Sequence, residues 1–136
     1  MNTQGKYLQF ANPTVLKFNF QVNDNFDYET GGTDTDINTI VEIPKQSEIN
    51  YNDDIPVYLS VLINQDNDNA PYTIDAKILT LFRVDDALTR AETPLILQSE
   101  GASILLSYLR PMIAMMTAAS GFQTMTLPML DFSHED

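Results

Sequence analysis

Four stretches in which apolar residues alternate with polar ones, followed by one stretch with helical spacing, decide what this chain can become. Leu16, Phe18, Phe20 and Val22 alternate with Lys17, Asn19 and Gln21, and a strict period of two predicts a half-buried strand with its aromatic side toward a core. Ile37, Thr39, Val41 and Ile43 predict a second strand, stopped by Pro44. A third runs Ile55 to Ile63, with Val57, Leu59, Val61 and Ile63 on one face. A fourth runs Tyr72 to Val84, with Ile74, Ala76, Ile78, Thr80, Phe82 and Val84 opposite Asp75, Lys77 and Arg83. Asn64 to Pro71 joins the last two as a hairpin loop, and Thr30 to Asp36, with Gly31 and Gly32, reads as another turn. Consecutive strands with short connections predict an antiparallel sheet.

After Val84 the pattern changes. Asp85 to Thr93 is polar and connective, and from about Ala102 to Ala119 the spacing is helical. Ser103, Ser107, Arg110, Ala114 and Thr117 form a narrow small-or-polar stripe, surrounded by Ile104, Leu105, Tyr108, Leu109, Met112, Ile113 and Met116. A helix apolar over most of its circumference is buried against more than one layer. Gly121 suits its C-terminal cap. Pro111 cannot bond the carbonyl of Ser107, which predicts a kink there. Arg110 and Pro111, with two serines and a threonine, argue against a membrane span and for the buried helix of a soluble protein.

The length of 136 residues is one domain's worth, residues 1–136, and 19 acids against 7 bases give a net charge of −12. Such a chain repels phosphate backbones and anionic lipid, so nucleic-acid binding and membrane binding are not expected. The charge is uneven. Asn23 to Asp68 holds 11 carboxylates and one base, Lys45, whereas Gly101 to Leu130 holds no carboxylate and one charge, Arg110. The apolar back segment must be covered by the core or by partner subunits. Met1 to Lys6 lacks the basic-then-apolar run of a signal peptide, which predicts a cytoplasmic address.

No enzymatic centre is legible. The absence of cysteine removes thiolate nucleophiles and zinc-thiolate sites, and His134 stands in an acidic terminus poorly suited to hold a triad. Asp66, Asn67, Asp68 and Asn69 offer oxygen ligands but lack the glycine and closing glutamate of a calcium loop, so a solvated turn is expected. Asp53–Asp54 and Asp85–Asp86 read as turn residues, because neighbours in a strand point to opposite faces. No metal or cofactor is expected. Met112, Met115, Met116, Met125 and Met129 crowd eighteen residues. Methionine fills irregular cores, and it also serves surfaces that accept many apolar partners.

The stretch Ile104 to Phe132 resembles the carboxy-terminal half of SecB-type export chaperones. Leu105, Leu106, Tyr108 and Arg110 fall on the family's helix motif, Ser120, Gly121 and Phe122 on its turn, and Leu127, Pro128 and Phe132 on its tail. Leu8 to Pro13 (LQFANP) is similar to the family's first strand and its proline-ended bend. The resemblance implies an α+β domain, a four-stranded antiparallel sheet packed against a long C-terminal helix. It implies a non-enzymatic holdase for unfolded or precursor polypeptides, in the service of export or of a toxin–antitoxin pair, assembled as a homotetramer (a dimer of dimers).

On that resemblance Phe26, Tyr28, Tyr108, Met112, Met116 and Phe122 are client-binding candidates, and Ser103, Ser107, Arg110, Ala114 and Thr117 are candidates for subunit contact. The ordinary alternative for each client-binding candidate is core packing or a subunit interface. Asp75 matches one of the acidic residues with which the family docks the SecA motor, but Tyr7 and Ala11 carry no charge at the first-strand positions. The family's helix proline falls at Ser107, and its terminal helix is missing after Asp136. The resemblance thus supports client holding more than delivery to SecA. Two readings from other classes are a virion accessory or other assembly protein that uses the helix for subunit contacts, and an acidic decoy for a basic partner.

Overall fold

The computed structural model describes residues 2–4, 8–29, 35–85 and 90–132. His134, Asp86, Tyr7 and most of the Thr30–Asp36 turn lie outside the described residues.

The four expected strands are β3 (Thr14–Val22), β4 (Ile37–Glu42), β5 (Ile55–Ile63) and β6 (Tyr72–Val84), all antiparallel to their neighbours. The bounds of β5 and β6 coincide with those read from the apolar alternation. β2 (Leu8–Phe10) is the strand that the resemblance of Leu8 to Pro13 implied, and a further short strand, β1 (Asn2–Gln4), pairs with it beyond expectation. β6 is central because its 13 residues are long enough to pair with β5 on one side and with both β2 and β3 on the other. β2 and β3 lie in line along that edge, separated by Ala11–Asn12–Pro13. Pro13 has no N–H for a ladder, so the strand breaks there. Ala11 still spans the break, donating its N–H to the Leu81 carbonyl at 3.1 Å and accepting from Thr80 Oγ1 at 2.6 Å.

Ile55, Val57, Leu59, Val61 and Ile63 of β5 face Phe82, Thr80, Ile78, Ala76 and Ile74 of β6, and all ten are buried. This double row is the floor of the core. β3 meets the expectation only in part: Phe18 and Phe20 pack against the core, but Leu16 and Val22 are exposed. The register shifts between Val15 and Lys17. Such a bulge leaves Leu16 without an opposite residue and turns it outward.

Helical structure runs from Thr93 to Ala119 and is here called α1. It therefore begins nine residues before the expected Ala102. Thr93–Ile96 and Ala102–Ala119 are α-helical and Leu97–Gly101 between them is π-helical. Pro94, in the first turn, has no N–H to waste there. Helical structure is unbroken across Pro111, so the chain does not split into two helices. Gly101 brings the helix close to the sheet: a Cβ there would sit 3.4 Å from two ring atoms of Phe82.

The helix ends in a Schellman motif. Gly121 takes φ +87°, Phe122 N–H donates to the Thr117 carbonyl at 3.1 Å and Gly121 N–H donates to the Ala118 carbonyl at 3.3 Å. The chain then turns back along α1 as an extended tail in which Leu127 and Phe132 are buried.

Candidate functional site

The helix has flanks with different fates, set by its 3.6-residue period. Leu97, Ala102, Leu105, Leu106, Leu109 and Ile113 are buried in the core above the sheet. By length and composition alone α1 could cross a bilayer; this flank shows what its apolar residues do instead.

The small-or-polar stripe faces the chain's own tail. Thr117 Oγ1 donates to the Ile113 carbonyl at 2.9 Å and accepts the Met125 N–H at 2.9 Å. Arg110 Nε donates to the Leu127 carbonyl at 2.9 Å, and Nη1 lies 3.2 Å from Met129 Sδ. Ser103 and Ser107, exposed, line a cleft against Met129 and Phe132. The second layer that the all-round apolar helix demanded is thus partly the tail. This corrects the expectation of subunit contact for Thr117, which is 0% exposed within the single chain. Ala114 and Arg110 are half-buried.

On the opposite flank Tyr108, Met112 and Met116 recur at every fourth position. Tyr108 packs edge-on against Phe10 of β2, with ring centroids 6.3 Å apart. Beyond the helix end Phe122 packs against Phe20 of β3 at 6.1 Å and Tyr72 of β6 at 5.0 Å. These two contacts bracket Met112 and Met116 on the side of α1 toward β3. Met112 is half-buried, whereas Met116 and Tyr108 remain exposed, as do Val15 and Leu16 of β3. Met115, one step toward solvent, is 70% exposed. Phe26 and Tyr28 form a separate edge-on pair, 4.8 Å between centroids, after β3, with Tyr28 72% exposed. The client candidates therefore fall into a helix strip, an aromatic corner at Phe122 and a loop pair. Phe20, Phe10 and Leu16 are additions that alternation alone assigned to core or left unremarked.

The sheet's other face is charged and paired. Asp75 accepts from Lys17 Nζ at 2.5 Å, Glu42 lies 3.7 Å from Lys77, and Arg83 Nε donates to Asp54 at 2.7 Å. The acidic docking candidate Asp75 thus already has a cation beside it. In the β5–β6 loop, Asn64 takes φ 61° and is buried. Its amide donates to the Tyr72 carbonyl at 3.1 Å and its Oδ1 accepts the Asp36 N–H at 2.9 Å. Asn69 N–H donates to Asn67 Oδ1 at 3.0 Å, a turn-forming contact in the segment weighed as a calcium loop.

The sequence profile of the SecB family, described as preprotein translocase subunit SecB, matches residues 18–134. The chain belongs to the SecB family. No curated protein matches it. Among solved structures it is similar to the SecB-like chaperone Rv1957 of Mycobacterium tuberculosis, in complex with a ChAD peptide from the HigA1 antitoxin, at 18% identity and TM-score 0.66 over 91% of each chain. It is also similar to a protein of unknown function from Streptococcus agalactiae, at 14% identity and TM-score 0.57 over 91% of this chain and 99% of that one. At these identities the likeness is one of fold: the SecB sheet with its long carboxy-terminal helix. The SecB turn and tail positions expected from sequence, Ser120 to Phe122 and Leu127 to Phe132, are the ones that form the cap and the returning tail.

Proposed function

We propose that this chain is a non-enzymatic chaperone of the SecB family that holds unfolded or precursor polypeptides in the cytoplasm, without a cofactor, as a homotetramer. The observation that carries the reading is the apolar strip left open on the far flank of α1. Tyr108 and Met116 stand exposed on this flank of the helix in a chain of net charge −12. Contiguous exposed apolar surface in a well-charged protein marks an interaction site. Methionine suits unrelated guests because its unbranched thioether repacks cheaply.

In this reading the client lies along Tyr108, Met112 and Met116 and reaches Phe122, with Phe26 and Tyr28 as a further apolar contact. Burial contributes about 25 cal/mol per Å² before ordering costs. The outward ridge at Met115 and Pro111, with Ser103 and Ser107 beside it, packs against other subunits. The SecB-like neighbour solved with an antitoxin peptide favours a second reading of the same strip, in which the client is an antitoxin rather than an exported precursor. The Lys17–Asp75 pair speaks against SecA docking through Asp75.

The test is binding of a reduced, alkylated and permanently unfolded protein, followed by fluorescence anisotropy. Met112→Asp with Met116→Asp should weaken binding by at least about tenfold, the cost of placing charge where apolar surface is buried. Raising salt should change the wild-type affinity little. Unchanged binding in the double variant, or steep loss with salt, contradicts the strip.

A further inference from the structure

We infer that the cavity where the β4–β5 connection meets the segment leading into α1 is a binding site for the phosphate group of a small organic phosphomonoester. The site uses none of the strip residues on α1 and goes beyond the polypeptide-holding reading. Five residues line it: Gln46 and Ser47 of a single 3₁₀ turn, then Ile49 and Tyr51, and Arg90 from the approach to the helix. Its volume of about 510 Å³ exceeds a bare oxyanion and falls within the range of small-ligand pockets. None of the five is acidic, and Glu48 of the same turn is exposed and outside the lining.

The distribution of cations favours this place. The chain has seven bases, of which Lys6 lies outside the described residues. Lys17, Lys77 and Arg83 each face a carboxylate, and Arg110 is engaged by the Leu127 carbonyl. That leaves Arg90, in the lining, and Lys45, exposed and next to Gln46 in the chain; neither is ion-paired among the described residues. In a protein with 19 acids, two unpaired cations beside one cavity reverse the charge locally. Screening over about 8 Å in physiological salt leaves the more distant carboxylates little weight against them.

Arg90 is also held in place. Its carbonyl accepts from Gln46 Nε2 and from the Tyr51 hydroxyl, both at 3.2 Å, and its guanidinium carbon lies 4.7 Å from the centroid of the Tyr51 ring. Backbone and head group are fixed by the same wall, so little freedom is left to lose on binding. Guanidinium donors lie in the plane of the group, and contact with a ring covers a face while leaving the fork of N–H groups free. The Ser47 hydroxyl stands in the same lining as a further donor. A phosphomonoester carries close to two negative charges at neutral pH and three acceptor oxygens, which two cations and a hydroxyl match better than they match a singly charged carboxylate. Buried Ile49 and the Tyr51 ring give the organic body of the ester an apolar wall.

The experiment titrates the isotope-labelled full chain with phenyl phosphate and follows backbone amide shifts and the Arg90 Nε–H signal. Saturable shifts at Gln46, Ser47 and Tyr51 are expected, with an affinity at least about tenfold above that for inorganic phosphate, the organic body supplying the difference. Binding should strengthen between about pH 5 and about pH 7.5, because the second phosphate ionisation lies near pH 6. Phenyl sulfate, singly charged throughout, should bind about tenfold more weakly at the upper pH and show no such rise. Arg90→Gln should abolish the shifts and Lys45→Gln should weaken binding about threefold, thermal melts confirming that both variants fold. No saturable shift, no rise with pH, unchanged binding in either variant, or phenyl sulfate bound as tightly as phenyl phosphate overturns the site. So does inorganic phosphate bound as tightly as the ester, which would make the occupant a free ion. Polypeptide holding is read separately, by the Met112→Asp, Met116→Asp variant, and stands or falls without this site.

Discussion

Arg110 spends its guanidinium inside its own chain: Nε donates to the Leu127 carbonyl across 2.9 Å and fastens the tail to the helix. A carbonyl in a tail that forms no ladder needs such a donor, and a charged one bonds it more strongly than a neutral one. Arg110→Ala should cost about 1–2 kcal/mol, the worth of a partly exposed charge-assisted bond. Amide hydrogen exchange between residues 125 and 130 should rise more than the global loss explains. Arg110→Lys should recover little, because an ammonium cannot place a donor where Nε stands. Unchanged exchange in the tail would show that Leu127 and Phe132 hold it alone.

Thr117 should prove the more sensitive of the two fasteners, being fully enclosed. Thr117→Val keeps the shape and removes the acceptor of the Met125 N–H, leaving that donor unpaired at a cost of about 1–3 kcal/mol. Chemical denaturation against wild type measures it. A neutral result would mean that water satisfies Met125.

Two glycines should respond in opposite directions. Gly121 sits at φ +87° with nothing within 4 Å of an added Cβ, so Gly121→Ala meets no clash and pays only for backbone conformation, about 1–2 kcal/mol. Gly101 already has helical angles, φ −61° and ψ −47°, and its Cβ would make ordinary contact with Phe82. Gly101→Ala should therefore be neutral or stabilising by up to about 1 kcal/mol, while Gly101→Leu drives into Phe82 and Val57 and destabilises. Thermal melts of the three variants check the ordering.

These contrasts also show what could be read from the sequence. The central strands were legible to the residue because Ile55–Ile63 and Tyr72–Val84 lie under the helix, where one face is dry and strict alternation is enforced. β3 lies toward the sheet edge, so Phe18 and Phe20 kept the pattern while a bulge released Leu16. The first turns of α1 were not read from spacing, which began at about Ala102; Pro94 starts the helix and Gly101 admits it to Phe82. The stripe of Ser103, Ser107, Arg110, Ala114 and Thr117 was visible. Its occupant was not, because helical spacing shows that a flank is covered and never by what.

Burial pushes the Tyr72 hydroxyl above the ordinary value of 10.0. The folded protein thus binds this proton more tightly than the unfolded chain does. Its contribution to stability is whole below about pH 10 and is lost as pH rises through the elevated folded value. Tyr72→Phe should give a shallower alkaline fall in stability than wild type, at a small constant cost for the contact from the hydroxyl to Met125 Sδ at 3.6 Å. Identical alkaline slopes would place the tyrosine's burial in doubt.

The central claim is that the far flank of α1 is open surface kept for unfolded chains. The most direct measurement is light scattering from an unrelated protein diluted out of denaturant, with this chain present at stoichiometric ratio. The account predicts suppressed aggregation that persists at high salt and fails in the Met112→Asp, Met116→Asp double variant. Aggregation at the rate seen without the chain, from a sample verified as folded, would contradict it.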